Sequence, residues 1–172
     1  MKKCPLELKW KNQSGVKAPG ALRFKYWMEK TLEHLKKEKL IKKIPEGKME
    51  MQMVKSVKIQ EMNAKYRGKD KVTDVLSFSF MNGDKFPGKK LVGQILIDPI
   101  TARKQAKEHE VSWRAELEFI FVHAVLHVFG FDHENAKDFK KMFAIQAQIM
   151  PNQKFARMTK QIYQEYFGKG EA

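Results

Sequence analysis

Hydrophobic residues recur along this chain at two spacings, and the switches between them lay out its elements. Leu6, Leu8 and Trp10 alternate with charged or polar neighbours, a strand pattern. Asn12–Gly20 is rich in Asn, Ser, Gly and Pro and reads as a loop. From Ala21 to Lys39, Phe24, Met28, Leu32 and Leu35 return at helical spacing while lysines fill the other faces, which predicts an amphipathic, basic helix. Pro45-Glu46-Gly47 breaks the chain, and Met49, Met51 and Met53 then alternate with Glu50 and Gln52 as a second strand. Ser56 is placed to cap a short helix with Ile59, Met62 and Tyr66 inward, which Arg67-Gly68-Lys69-Asp70 leaves. Val75, Leu76, Phe78 and Phe80 predict a third strand and Leu91–Ile97 a fourth, with Asn82-Gly83 starting the turn of a hairpin between them.

The rest of the chain is helical. Asp98-Pro99 supplies a capping carboxylate and a proline in the first turn, starting a helix that runs to about Glu110. Ser112 caps the next helix, which runs to Phe129, with Gly130 as its left-handed C-cap. Its second half is apolar nearly all round, which predicts a buried central helix. Asn135 to Ile149 forms a further helix ended by Pro151, and Gln153–Phe167 another. Strands and helices mix without a regular βαβ repeat, so the expected class is α+β: a small mixed β-sheet packed with helices. No linker divides the chain, and residues 1–172 are expected to form a single domain.

Charge adds a partner to this picture. The formal net charge is +14, and residues 1–60, with 16 basic and 6 acidic side chains, hold most of the excess. A field of that sign attracts polyanions, nucleic acid among them. Cys4 is the only cysteine, so no intrachain disulfide forms, which fits a reducing compartment. No apolar stretch follows Met-Lys-Lys-Cys-Pro as a secretory signal requires, and the most apolar run, Phe119–Phe131, is too short to span a bilayer. The expected location is cytoplasmic, with no membrane partner.

Candidate chemistry sits in His-Ala-Val-Leu-His-Val-Phe-Gly-Phe-Asp-His, residues 123–133. His123 and His127 are four apart and share a helix face, and Gly130 permits the reversal that swings His133 back over it. Three neutral imidazoles suit one zinc ion and leave its fourth position open to water, the pattern of a catalytic site. Bound zinc lowers the pKa of its water from about 15.7 toward ~7. Asp132 is expected to orient a ligand from behind. His34, on the basic helix, and His109, beside two glutamates, have no partner at ligand spacing and read as solvated histidines.

The spacing matches the metzincin proteases, His-Glu-x-x-His-x-x-Gly-x-x-His, except that Ala124 stands where their glutamate base belongs. Alanine cannot move a proton, so a different hydrolysis is expected. The segment also resembles the YbeY family of bacterial rRNA-maturation endoribonucleases, approximately His-Gly-x-Leu-His-Leu-x-Gly-Tyr-Asp-His. A second family block is matched between Met62 and Phe78 by Asn63, Tyr66, Arg67, Lys69, Asp70, Thr73, Asp74, Val75, Leu76, Ser77 and Phe78. Gly93-Gln94-Ile95 is a third, shorter match, in which Gln94 replaces the usual aspartate and is assigned no role. These matches span about residues 49–150.

The resemblance implies a zinc-dependent, single-strand-specific endoribonuclease acting on the 3′ end of small-subunit (16S) ribosomal RNA and in ribosome quality control, with the small ribosomal subunit as partner. It implies His123, His127 and His133 as ligands of one zinc per chain and Arg67 in the cleft. On this reading Arg67 and His123 are catalytic: zinc-activated water, or the RNA 2′-hydroxyl, attacks phosphorus, and Arg67 stabilises the charge that builds on oxygen. Lys69, Lys71 and the lysines of the first helix are expected to hold the RNA backbone, with Arg67. Asp70 and Asp74 read as turn or strand-edge residues or as water-positioning groups, and Ser77 as a strand residue. Two readings compete: a metalloprotease-like hydrolase, which Ala124 opposes, and a non-catalytic ribosome assembly factor whose zinc only fixes the fold.

Overall fold

Alternation of methionine with polar residues makes β2 (Gly47–Met53) a strand with one buried face, and that strand organises the sheet. The computed structural model describes residues 4–81 and 90–168. β1 (Leu6–Asn12) and β4 (Leu91–Ile97) flank β2 in parallel, and β3 (Val75–Ser79) lies antiparallel on the far side of β4, giving the order β1-β2-β4-β3. The fold is α+β with a mixed four-stranded sheet and helices. The expected pairing of β3 with β4 is present, whereas the Asn82-Gly83 turn lies outside the described residues.

The sheet buries its two faces unequally. Met49, Met51, Met53, Ile95 and Ile97 enter the main core with α1 (Ala21–Lys37), α4 (Trp113–Val128) and α5 (Ala136–Ile149). On the other face Leu76 and Leu96 meet Val54 and Ile59, the latter from α2 (Ser56–Arg67), with Met62 and Phe78 packed half-buried against them. That cluster is small, so α2 covers one corner of the sheet. This corrects two expectations. Tyr66 is 52% exposed rather than inward, with its ring edge-on to Phe78 at 5.2 Å. Ser56 does not cap α2: Lys55 holds the N-cap position without a side-chain bond, and the Ser56 hydroxyl donates to Asp98 Oδ2 at 2.7 Å instead.

The caps expected at Asp98 and Ser112 are present, and Asn135 adds one that was not expected. Asp98 accepts from the Ile100 amide at the start of α3 (Pro99–Glu108), Ser112 from Ala115 in α4, and Asn135 from Asp138 in α5. α4 is locked to α1 by a buried carboxylate. Glu118 accepts from Arg23 Nε and a terminal guanidinium nitrogen at 2.9 Å each and from Trp27 Nε1 at 2.8 Å, so its charge is compensated where it is desolvated. At its other end α4 presses on the sheet over Gly93, where a Cβ would stand 2.4 Å from Val128 Cγ1. Only glycine admits that approach, which seats the histidine-bearing end of α4 against β4. Among the described residues no helix is long and apolar enough to cross a membrane.

Candidate metal centre

The end of α4 is a left-handed glycine turn. Gly130, at φ 86°, donates to the His127 carbonyl at 3.0 Å and Phe131 donates to the Leu126 carbonyl at 3.1 Å, the paired bonds of a Schellman motif. The reversal returns the chain over the helix, and the His133 amide donates to Asp132 Oδ1 at 2.8 Å. Three imidazoles converge as a result. His123 Nε2 lies 3.1 Å from His127 Nε2 and 3.1 Å from His133 Nε2, and ring centroids are 4.7 to 5.0 Å apart. One ligand atom from each lies within 4.8 Å of the others.

Protonation favours a cation at that point. Burial pushes the His123 pKa well below its usual value, and neighbouring His127 and His133 push the same way. His127 is lowered to about 4, by burial first and then by His133, with Asp132 pulling in the opposite direction. Both rings are therefore neutral at neutral pH and offer lone pairs. Gln146, which sequence reading missed, selects the lone pair of His123. Its amide nitrogen donates to the Phe119 carbonyl at 3.0 Å, so its oxygen, 3.1 Å from His123 Nδ1, must accept a proton held there. That leaves Nε2 unprotonated and aimed at the other two rings. Tetrahedral zinc with Zn–N bonds of about 2.0–2.1 Å separates its ligand nitrogens by roughly 3.3 Å, so the spacing and donor set fit that ion. Replacing Gln146 by leucine removes the acceptor and frees the tautomer; zinc affinity is expected to fall about 10- to 100-fold, read by competition with a chelating dye. Unchanged affinity would remove Gln146 from the centre.

A cavity of about 840 Å³ opens over the histidines, and the structure brings most of the expected residues to it. Arg67 ends α2 where Gly68, at φ 66°, turns the chain; one terminal guanidinium nitrogen donates to the Ser77 carbonyl of β3 at 3.3 Å. Lys69 and Lys71 line the same cavity, the loop being held by Asn63 Nδ2 donating to the Lys71 carbonyl at 2.8 Å. Asp132 Oδ1, besides accepting from the His133 amide, lies 3.7 Å from His127 Nδ1. Asp74 lines the cavity at the start of β3, where the Val75 amide and Thr73 hydroxyl donate to it and burial raises its pKa. Asp70 accepts from Gln60 and is not in the cavity wall, and Gln94 meets Glu50 across the sheet, also away from the wall.

His109 requires correction. It is not solvated but 7% exposed, with Nδ1 3.0 Å from Glu116 Oε2 inside the cavity. Glu116 is buried too and raises the His109 pKa, a partnership that crosses the break between α3 and α4. His34 is not solvated either: it is half-buried with Nε2 enclosed, and it is absent from the cavity wall. Ala124, by contrast, is fully buried in the main core, so the position that carries a glutamate in the proteases serves packing here.

Residues 9–154 match the family model described as endoribonuclease YbeY. This chain belongs to the YbeY family. Relatives named endoribonuclease YbeY include one from Staphylococcus carnosus, 37% identical over 131 residues covering 73% of this chain and 83% of the relative. One from Bdellovibrio bacteriovorus is 34% identical over 138 residues, covering 78% and 87%. A solution structure of a Thermotoga maritima protein superposes with a TM-score of 0.51 at 25% identity, covering 96% of this chain and 93% of that one. The YbeY match includes all three histidines and Arg67 but ends at the first residues of α6 (Gln153–Phe167).

Proposed function

We propose that this chain is a zinc-dependent, single-strand-specific endoribonuclease that matures the 3′ end of small-subunit ribosomal RNA and serves ribosome quality control, as a single cytoplasmic domain with the small ribosomal subunit as partner. The observation that carries this reading is the convergence of three ring nitrogens, two of them held neutral by burial, in a cavity that also receives Arg67, Lys69 and Lys71. Membership in a family named for endoribonuclease activity supplies the substrate class.

His123, His127 and His133 would hold one zinc ion, which supplies Lewis acidity toward a phosphoryl oxygen and activation of water. The protein's own groups do the rest. Gln146 keeps the proton of His123 on Nδ1. Asp132 steadies the return loop through the His133 amide, with its carboxylate 3.7 Å from His127 Nδ1. Whether water or the 2′-hydroxyl attacks, negative charge builds on the non-bridging oxygens, and the Arg67 fork would donate hydrogen bonds to them. Lys69 and Lys71 hold the RNA backbone, so affinity falls steeply with salt.

Chelation tests the reading. Purified chain is expected to cleave a single-stranded RNA carrying the 3′ extension of small-subunit ribosomal RNA, to spare its duplex, to stop in chelator and to resume when zinc is restored. Binding without cleavage in every condition would instead support an assembly factor with a structural ion.

A further inference from the structure

The last helix lies almost wholly beyond the segment that matches the family model, yet it walls the cleft: Ile162, Glu165, Tyr166 and Phe167 of α6 line the cavity. Its seat is fixed by aromatic packing. Phe139 and Phe143 of α5 stack with centroids 4.0 Å apart, and Tyr163 and Phe167 meet Phe139 edge-on at 5.3 and 5.5 Å. Phe155 and Met158, near the helix start, are buried in the main core. These anchors set the rotation of α6 and with it the position of Tyr166.

Tyr166 sits at the edge of this cluster, its ring centroid 6.4 Å from that of Phe139 and 6.2 Å from that of Phe167. Its ring stands at 87° to the His133 ring with centroids 5.5 Å apart, and the residue is 62% exposed. An exposed aromatic ring thus borders the cleft directly beside the third histidine. Arg67, Lys69 and Lys71 line the same cavity. Proteins grip single-stranded RNA by combining cations for the phosphates with aromatic faces on which unpaired bases stack, and this cleft contains both.

We propose that Tyr166 is a substrate-positioning residue, on whose ring the base next to the scissile phosphate stacks; this rests on the ribonuclease reading above. Stacking needs the ring and not the hydroxyl. It also needs an unpaired base, because a duplex keeps its bases stacked on one another, so Tyr166 contributes to the preference for single strands.

Fluorescence anisotropy of a labelled single-stranded RNA with the full chain in chelator reads binding without cleavage, and single-turnover cleavage with zinc restored separates half-saturation from maximal rate. Tyr166→Phe and Tyr166→Trp are expected to match wild type. Tyr166→Ala and Tyr166→Leu are expected to weaken binding and raise half-saturation about tenfold with little change in maximal rate. Leucine keeps apolar bulk on α6, and equal thermal melts for the leucine variant separate lost stacking from lost packing. An abasic site at one RNA position should reproduce the loss and not add to that of Tyr166→Ala. Wild-type binding by the alanine and leucine variants, or a loss in Tyr166→Phe equal to that in alanine, overturns the proposal and leaves the ribonuclease reading standing. Failure of wild type to bind RNA overturns that reading, and the proposal falls with it.

Discussion

The His127→Ala protein is expected to lose zinc and RNA cleavage together. The remaining pair, His123 and His133, offers two nitrogens 3.1 Å apart, and among the described residues no other His, Cys or carboxylate completes a group of three with them. Two imidazoles hold zinc far more weakly than three, so metal analysis of the purified variant should no longer find one ion per chain. The activity loss should exceed the about 10²- to 10³-fold that removing a single transition-state donor costs. Folding should survive. His127 is only half-buried, and truncating its ring is expected to cost about 0.5–3 kcal/mol, as most single substitutions do. His34→Ala is the matched control, because His34 is half-buried and lies outside the cavity wall. A His127→Ala protein that keeps both its ion and wild-type cleavage would overturn the assignment of this centre.

The parts of this fold that were legible in the sequence are those whose cause is local. Ser112 and Asp98 cap helices because an amide two or three residues on is the nearest donor, and Gly130 ends α4 because its φ of 86° suits no other residue as well. The histidine spacing was legible for the same reason: a helix face and one glycine turn place all three rings. Where a distant group competes, local reasoning fails. Ser56 gives its hydroxyl to Asp98, 42 positions away, and leaves α2 uncapped. Tyr66 obeys the helical period yet meets no core, because α2 covers only a corner of the sheet. His109 finds Glu116 across a helix break, and Gln146 reaches His123 from another helix, so neither has a sequence signature. The strand order β1-β2-β4-β3 is hidden likewise, since β2 pairs with a strand beyond α2 and β3.

Arg67 is where the centre meets its substrate, and its substitution carries the second large effect. Its guanidinium is tied to the Ser77 carbonyl by one terminal nitrogen, so the fork is oriented by β3 while the residue stays exposed at the cavity. A donor held in advance costs no reorganisation when charge appears on the phosphoryl oxygens, and its removal is expected to cost about 10²–10³ in maximal rate, roughly 2.7–4 kcal/mol. Arg67→Ala should show that loss in single-turnover cleavage with half-saturation little changed, because Lys69 and Lys71 still hold the backbone. Arg67→Lys should recover only a small part. An ammonium keeps the charge, but it lacks the planar fork that can bond two oxygens or bridge Ser77 and phosphate at once. The contrast between the two variants decides between bulk attraction and directed stabilisation. Equal recovery by lysine would make Arg67 one more cation for the backbone, with its effect screened by salt. Wild-type rates in both variants would leave the chemistry to the histidine centre alone.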